Sequence, residues 1–241
     1  MRTFDLPPGS TPETCLAWDE AALDAVGAGE CGPLLWFWES PSPWVVVGYG
    51  QSIAREVDVD ACRAAQVPIL RRCTGGGTVV QGPGCLNYAV ALPLSLHPDL
   101  ETITGANAWI LSRIGAALQP LLAAPVQIQG HTDLVLGDRK FSGNAQRRRQ
   151  AALVFHGTFL LDFDLARIAE LLRFPSLQPA YRQHRSHLDF ITNLHLEPNV
   201  IRAALRHIWA AVPGPVPVEA SHRIPHLIAS HYGRPEWHAS R

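Results

Sequence analysis

Between Pro33 and Phe163 the chain offers one strand-like segment after another, many of them separated only by short turns. "PLLWFWES" and "WVVVGYG" are rich in aromatic and β-branched residues, and "VPILRR", "TVVQ" and "CLNYAVALPL" follow them. "PVQIQG", "TDLVLG", "DRKFSGNAQRR" and the long "AALVFHGTFLLDF" complete the series. A parallel pair needs a crossover of a dozen or more residues, so strands this close in sequence pair as antiparallel hairpins. Helical spacing interrupts the series irregularly, at 11–29, 58–66, 104–122, 164–172 and 197–212, with a C-terminal helix at 226–233 after the Pro-rich joint "GPVPVEA". Thr11 is placed to cap the first helix, and Pro12 suits its first turn. This irregular order predicts an α+β domain, a mostly antiparallel mixed sheet flanked by helices, rather than a doubly wound parallel sheet.

With 241 residues, 47% of them hydrophobic, one domain with a sizeable core is expected. A net charge of −1 and a pI near 6.8 argue against nucleic acid or an anionic membrane as the main partner. The five cysteines are odd in number and form no Cys-x-x-Cys, which suits reduced thiols in a cytoplasmic protein. "MRTFDLPPGS" lacks the apolar core of a signal peptide, and no apolar run of spanning length occurs, so neither secretion nor membrane insertion is expected.

Lys140 is the single lysine among 20 Lys and Arg residues. A compact ammonium with three rotatable donors is a different tool from a planar guanidinium. Its retention marks either a place where Arg does not fit or a chance survivor on a solvated surface. Lys140 stands beside the small run Ser142-Gly143-Asn144, where ligand atoms can pass close to backbone. "RRCTGGGTVV" sets Arg71 and Arg72 before Gly75, Gly76 and Gly77. Three glycines contribute no packing, but they allow positive φ and let successive N–H groups form an anion-binding nest. The alternative is an ordinary flexible turn. No Walker loop and no Gly-x-Gly-x-x-Gly is present.

In "FHGTFLLDF", His156 and Thr158 share one strand face, so His156 is either a ligand-site residue or a core histidine. Cys85 opens an apolar strand and reads as a small buried hydrophobe rather than a nucleophile. Arg147, Arg148 and Arg149 read as a solvated edge, with Arg148 on the face opposite the other two. The histidines at 184, 187, 222, 226 and 231 lack companions at metal-ligand spacing.

Taken together, "CLAWDEAAL", "RRCTGGGTVVQGPGCLNYAV", "HTDLVLGDRKFSGNAQRR", "FHGTFLLDFDLARIAELL" and "RSHLDFITNL" resemble the lipoate–protein ligase A family, within the wider biotin/lipoate ligase catalytic-domain group. Each motif is weak alone; their order and spacing make the match specific. The resemblance implies a class II synthetase-like α+β fold and two half-reactions. Lipoate or octanoate is activated by Mg-ATP to an acyl-adenylate. The acyl group then passes to a lysine of a lipoyl domain of a 2-oxoacid dehydrogenase E2 subunit, or of the glycine-cleavage H protein.

By the same resemblance Arg71, Arg72, Gly75, Gly76, Gly77, Thr78, Val79, Val80 and Asp133 hold the nucleotide and adenylate. Lys140 is the catalytic residue and touches both acyl and phosphate oxygens. Ser142, Gly143, His156 and Gly157 line the acyl site, and Asp133 meets Mg²⁺ through ATP. Three departures stand out. Thr132-Asp133 replaces an Asn-Asp pair, and "GPGCLNY" lacks a frequent Asp. The chain also reads as a single catalytic domain over 1–241, with a short extension from about 213 in place of a full accessory domain, which implies either a separate accessory protein for activation or a chain that only transfers. The competing readings are an octanoyltransferase that uses no ATP, for which Cys85 is the only plausible thiol, and a non-catalytic homologue that binds lipoate or a lipoyl domain. The Gly-Arg-Gly-Arg-type loop of a biotin ligase is absent.

Overall fold

The structure, a computed structural model, describes residues 1–149 and 151–240. Its strands are β1 (Arg2–Asp5), β2 (Leu34–Trp38), β3 (Trp44–Val47), β4 (Ile69–Arg71), β5 (Val79–Gln81), β6 (Cys85–Pro93), β7 (Val126–Gln129), β8 (Asp133–Leu136), β9 (Arg139–Arg149), β10 (Ala152–Leu160) and β11 (Val212–Pro213). Eight of them form one sheet in the order β11-β1-β2-β6-β10-β9-β8-β7, and β4-β3-β5 form a second, smaller sheet. In the large sheet β1 is parallel to both its neighbours, and every other pair is antiparallel. The α+β architecture expected from the short turns is therefore present.

Three longer helices cover the large sheet: α1 (Pro12–Gly27), α2 (Ile103–Leu118) and α3 (Pro198–Ile208). Thr11 caps α1 by accepting the Thr14 N–H, and Pro12 occupies its first turn. α1 packs on one face, with Trp36, Ala89 and Val154; α2 and α3 pack on the other, with Leu35, Val90 and Phe155. The alternation of β2, β6 and β10 feeds both cores, which is why these central strands are almost continuously apolar.

Two strands escaped the sequence reading. β1 is four residues and β11 is two, and both exist through parallel register with a neighbour rather than through local propensity. The C-terminal expectation is also corrected. A short helix, Val218–Ser221, falls inside the presumed joint, and the segment at 226–233 is a turn of helix, Ile224–Leu227, followed by a π turn, Ile228–Tyr232, closed by the Gly233 N–H donating to the Ile228 carbonyl at 2.8 Å. No helix among the described residues is long and apolar enough to cross a membrane.

Candidate active site

A cavity of about 580 Å³ opens where the small sheet leans over the α1 face of the large one. That size suits a small-molecule site. Its walls come from α1 (Leu16, Asp19), the end of β2 (Trp38), β5 with the preceding turn (Gly76 to Gln81), and the β9–β10 hairpin (Lys140, Gly143, Ala145, His156, Thr158). Register explains the floor. Gly143, Thr158, Asn87 and Trp38 lie side by side across β9, β10, β6 and β2, and Ala145, His156, Ala89 and Trp36 form the next row. Small residues flank His156, which leaves a trough beside the imidazole.

The glycine-rich turn is held from within by Arg72. Its Nε–H donates to Thr74 Oγ1 at 2.8 Å, and Nη2 donates to the carbonyls of Gly75 at 2.6 Å and Gly77 at 2.7 Å. Nη1 has one weak partner, the Val46 carbonyl at 3.4 Å. Burial pulls the Arg72 guanidinium down to about 10, which leaves it charged at neutral pH. Gly76 has φ +85°, and a Cβ there would stand 3.1 Å from Arg72 Nη2, so both backbone conformation and packing call for glycine. Thr78 Oγ1 is buried with no protein partner, which leaves a hydroxyl on the cavity wall for a ligand or water to satisfy.

Opposite the turn, Lys140 Nζ lies 2.6 Å from Asp133 Oδ1. The other Asp133 oxygen accepts the Tyr181 hydroxyl at 2.8 Å. Burial, with Asp133 beside it, raises Tyr181 well above the ordinary phenol range. A bulge places Lys140 here: Leu134 pairs with Ser142 but Val135 pairs with Lys140, so β9 carries one extra residue. Regular alternation would send residues 140 and 143 to opposite faces. Instead a Cβ built on Gly143 would meet Lys140 Nζ at 2.8 Å. Glycine at 143 thus gives the ammonium its path along the floor.

No group of three or more His, Cys, Asp or Glu that could hold a metal occurs among the described residues. Mg²⁺ commonly uses one or two carboxylates together with substrate phosphates, and Asp133 on the cavity wall fits that smaller demand.

Asn144 keeps Asp133 in place. Its Nδ2 donates to the Thr132 carbonyl at 2.7 Å, while Thr132 Oγ1 donates to the Asn144 carbonyl at 2.6 Å. Its Oδ1 accepts the hydroxyl of the buried Tyr88 at 2.6 Å. Gly157 makes room for this side chain, since a Cβ there would fall 1.7 Å from Asn144 Oδ1. On the floor, Gln81, Asn87 and Thr158 close a ring of hydrogen bonds: Gln81 Nε2 donates to Thr158 Oγ1 (2.7 Å), Thr158 to Asn87 Oδ1 (2.6 Å), and Asn87 Nδ2 to Gln81 Oε1 (2.9 Å). His156 has a partner at each ring nitrogen, Asp19 Oδ2 at 2.6 Å from Nδ1 and Thr74 Oγ1 at 2.8 Å from Nε2.

The cavity brings together most of the residues singled out in the sequence: Arg72, Gly76, Gly77, Thr78, Val79, Val80, Asp133, Lys140, Ser142, Gly143, His156 and Gly157. Gly75 does not line it; its carbonyl turns back to Arg72. Arg71 is a correction. Strand alternation points it away from Arg72, and it is fully buried in a cage of carbonyls, donating to Gly48 at 2.9 Å, Gln51 at 2.7 Å and His238 at 3.1 Å. A phosphate cannot reach it there.

Of the arginine run only Arg149 is exposed, while Arg147 and Arg148 are half-buried. Arg147 donates to the Cys73 carbonyl, Arg148 to the Leu100 and Thr102 carbonyls, and Arg149 pairs with Glu20 and Asp24. Arg148 does take the face opposite the other two. The sequence reading missed Asp19, Thr74, Tyr181 and the Gln81–Asn87–Thr158 ring. None of them breaks a local pattern: Asp19 stands beside Glu20 in "CLAWDEAAL" as an ordinary pair of helix acids.

Comparison with known proteins agrees with this architecture. Subunit 1 of a lipoate-protein ligase A from Thermoplasma acidophilum is 30% identical over 173 residues, covering 70% of this chain and 65% of that protein. The octanoyltransferase LipM of Symbiobacterium thermophilum is 33% identical over 191 residues, covering 69% of this chain and 68% of that protein. A crystal structure of a lipoate-protein ligase A bound with ATP superposes with a TM-score of 0.82 at 24% identity, covering 99% of this chain and 98% of that one, a likeness of fold. The family model of the lipoyl protein ligase A/B catalytic domain matches residues 11–204, from the cap of α1 into α3, and so takes in every wall of the cavity. The chain belongs to the lipoyl protein ligase A/B catalytic-domain family.

Proposed function

We infer that the protein is an ATP-dependent lipoate or octanoate ligase, which activates the acid as acyl-AMP and transfers the acyl group to a lysine of a lipoyl domain or of a glycine-cleavage H protein. One observation carries this reading: the cavity pairs a lysine ammonium with a backbone-rich glycine turn, and no cysteine lines it. Cys15, Cys62, Cys73 and Cys85 are buried away from it, and burial pushes the thiols of Cys15, Cys73 and Cys85 up to about 12. A thioester route needs a thiolate at the acyl carbonyl.

In the activation step a carboxylate oxygen attacks the α-phosphorus and the bond to pyrophosphate breaks. Two anions must meet, so fixed donors where charge develops lower the barrier. Lys140 has three N–H donors; one stays on Asp133 while two turn to the carboxyl and phosphate oxygens. Asp133 is the residue that would hold Mg²⁺, whose part is to neutralise phosphate charge. In the transfer step the acceptor amine attacks the acyl carbon and AMP leaves, stabilised by the same groups. Trp38, Val46 and Val79 give the acyl chain an apolar wall.

The likeness to an octanoyltransferase favours a second reading, acyl transfer from a carrier protein without ATP. Pyrophosphate release separates the two. The ligase releases it from ATP with lipoate or octanoate and not without acid. Octanoyl transfer from acyl-carrier protein in the absence of ATP, with no pyrophosphate release, overturns the proposal.

A further inference from the structure

The residues assigned so far leave a buried acid of α1 without a role. Asp19 is 3% exposed, in the middle of α1, and lines the cavity. Its Oδ2 meets His156 Nδ1, whereas its Oδ1 is buried without any protein partner. A buried orphan oxygen on a cavity wall points to a ligand or an ordered water as its partner. The first oxygen belongs to a longer chain. Arg72 Nε–H donates to Thr74 Oγ1, Thr74 meets His156 Nε2, and His156 meets Asp19.

Hydrogen-bond chemistry sets the direction of that chain. An ionised carboxylate only accepts, so the imidazole hydrogen that faces it sits on Nδ1. In neutral His156, Nε2 is then an acceptor, and the single hydrogen of Thr74 must point at it. Thr74 Oγ1 in turn receives Arg72. Every donor along the path points toward Asp19. Thr74 is fully buried, and it is the residue that opens the glycine turn, whose next carbonyls are held by the same Arg72.

We propose that Asp19 is a positioning residue that couples the acyl pocket to the glycine-rich turn. It fixes the tautomer of His156, and His156 fixes Thr74. This rests on the reading of the cavity as an acyl site beneath a nucleotide-binding turn. An acid seated in the trough beside His156 confines the imidazole. That confinement passes through Nε2 to Thr74 and selects one arrangement of Gly75 to Gly77. Acid and nucleotide then help each other bind, as linkage requires of any such coupling. The path is a chain of four side chains with all donors aligned, and reversing one donor breaks it.

Asp19→Asn reverses a donor while keeping shape. An amide N–H facing Nδ1 drives the imidazole hydrogen to Nε2, so Thr74 Oγ1 must accept from both Arg72 and His156, and its own hydrogen loses its partner. Thr74→Val removes the hydroxyl at similar volume, and Thr74→Ser keeps it. The experiment measures amide hydrogen exchange of residues 73–78 with and without octanoate or lipoate, beside acid affinity by calorimetry, KM for ATP, and thermal midpoint. The parent should show slower exchange of 73–78 when acid binds. Asp19→Asn and Thr74→Val should still bind acid, lose that slowing, and raise KM for ATP more than they lower kcat, whereas Thr74→Ser should behave as the parent. Slowing that persists in Asp19→Asn and Thr74→Val overturns the coupling, as does a parent that shows none. Loss of acid binding in Asp19→Asn also overturns it, because Asp19 would then be an acyl contact. A parent that binds no ATP sinks the ligase reading instead, and the exchange arm still decides the coupling.

Discussion

The glycine-rich turn and the β8–β9 hairpin each bring one cation to the cavity, and they hold it in opposite ways. Arg72 is wrapped in the carbonyls and hydroxyl of its own turn, with most of its donors already engaged. Lys140 has one carboxylate at 2.6 Å and a quarter of its side chain exposed. Of these two, the guanidinium acts as a brace and the ammonium is the one open to a ligand. A planar fork suits several fixed carbonyls at once, and a rotatable three-donor head suits oxygens that arrive and leave.

The sharpest way to break this contrast is at Lys140. Lys140→Ala should lower adenylate formation by about 10²–10³, the usual size for loss of one such electrostatic donor. Lys140→Arg should fail nearly as badly despite its charge. Both should unfold near the parent's midpoint in a thermal melt run beside the pyrophosphate assay. Near-parental activity in Lys140→Arg would show that position 140 needs charge alone.

Arg72→Lys tests the other half and should act chiefly on stability. Each turn carbonyl left without a donor costs roughly 1–3 kcal/mol. For a chain of this size the midpoint falls by about 2–4 °C per kcal/mol. An unchanged midpoint would mean that the turn holds itself.

A smaller effect reaches the turn from the C-terminal segment. The Arg71 N–H donates to His238 Nδ1 at 2.9 Å, and Trp237 Nε1 donates to the Arg71 carbonyl at 3.0 Å. Burial holds His238 below the ordinary imidazole value. The unfolded chain therefore takes up the proton first. The contribution is fully present above about pH 6.5, the unperturbed value, and is lost as pH falls through the lower folded value. Protection of the amides at 234 and 236–240, relative to the unfolded chain at the same pH, should fall over that descent in the parent, and a His238→Ala variant should show no such pH step. The smallest effect belongs to Cys85→Ala, which should leave activity near the parent's. An acyl adduct on Cys85 in an intact-mass measurement would restore the thioester route.

Much of the architecture was legible because it is local. Alternation and β-branching announced β2 through β10, and Thr11-Pro12 announced the start of α1. The two short strands β1 and β11 were not, since so few residues carry no pattern and gain their identity only by pairing. At the site, Gly75-Gly76-Gly77 and the isolated Lys140 stood out because they break composition and propensity. Asp19 did not, because an acid in a helix is ordinarily a solvated one.

From the sequence alone came the alternation that builds both faces of the sheet, the glycine turn, and the choice of Lys at 140, each of which depends on residues a few positions apart. The tertiary structure decided what those residues do. Arg71 and Arg72 are neighbours in sequence, yet one enters a carbonyl cage closed by His238 and the other braces the turn. One extra residue in β9 brings Lys140 to the face of Gly143. Asp19 meets His156, 137 positions away, only because α1 packs over β10. Side-chain direction in a strand follows local alternation, but a partner across such a separation depends on how the layers pack, and no local pattern carries that information.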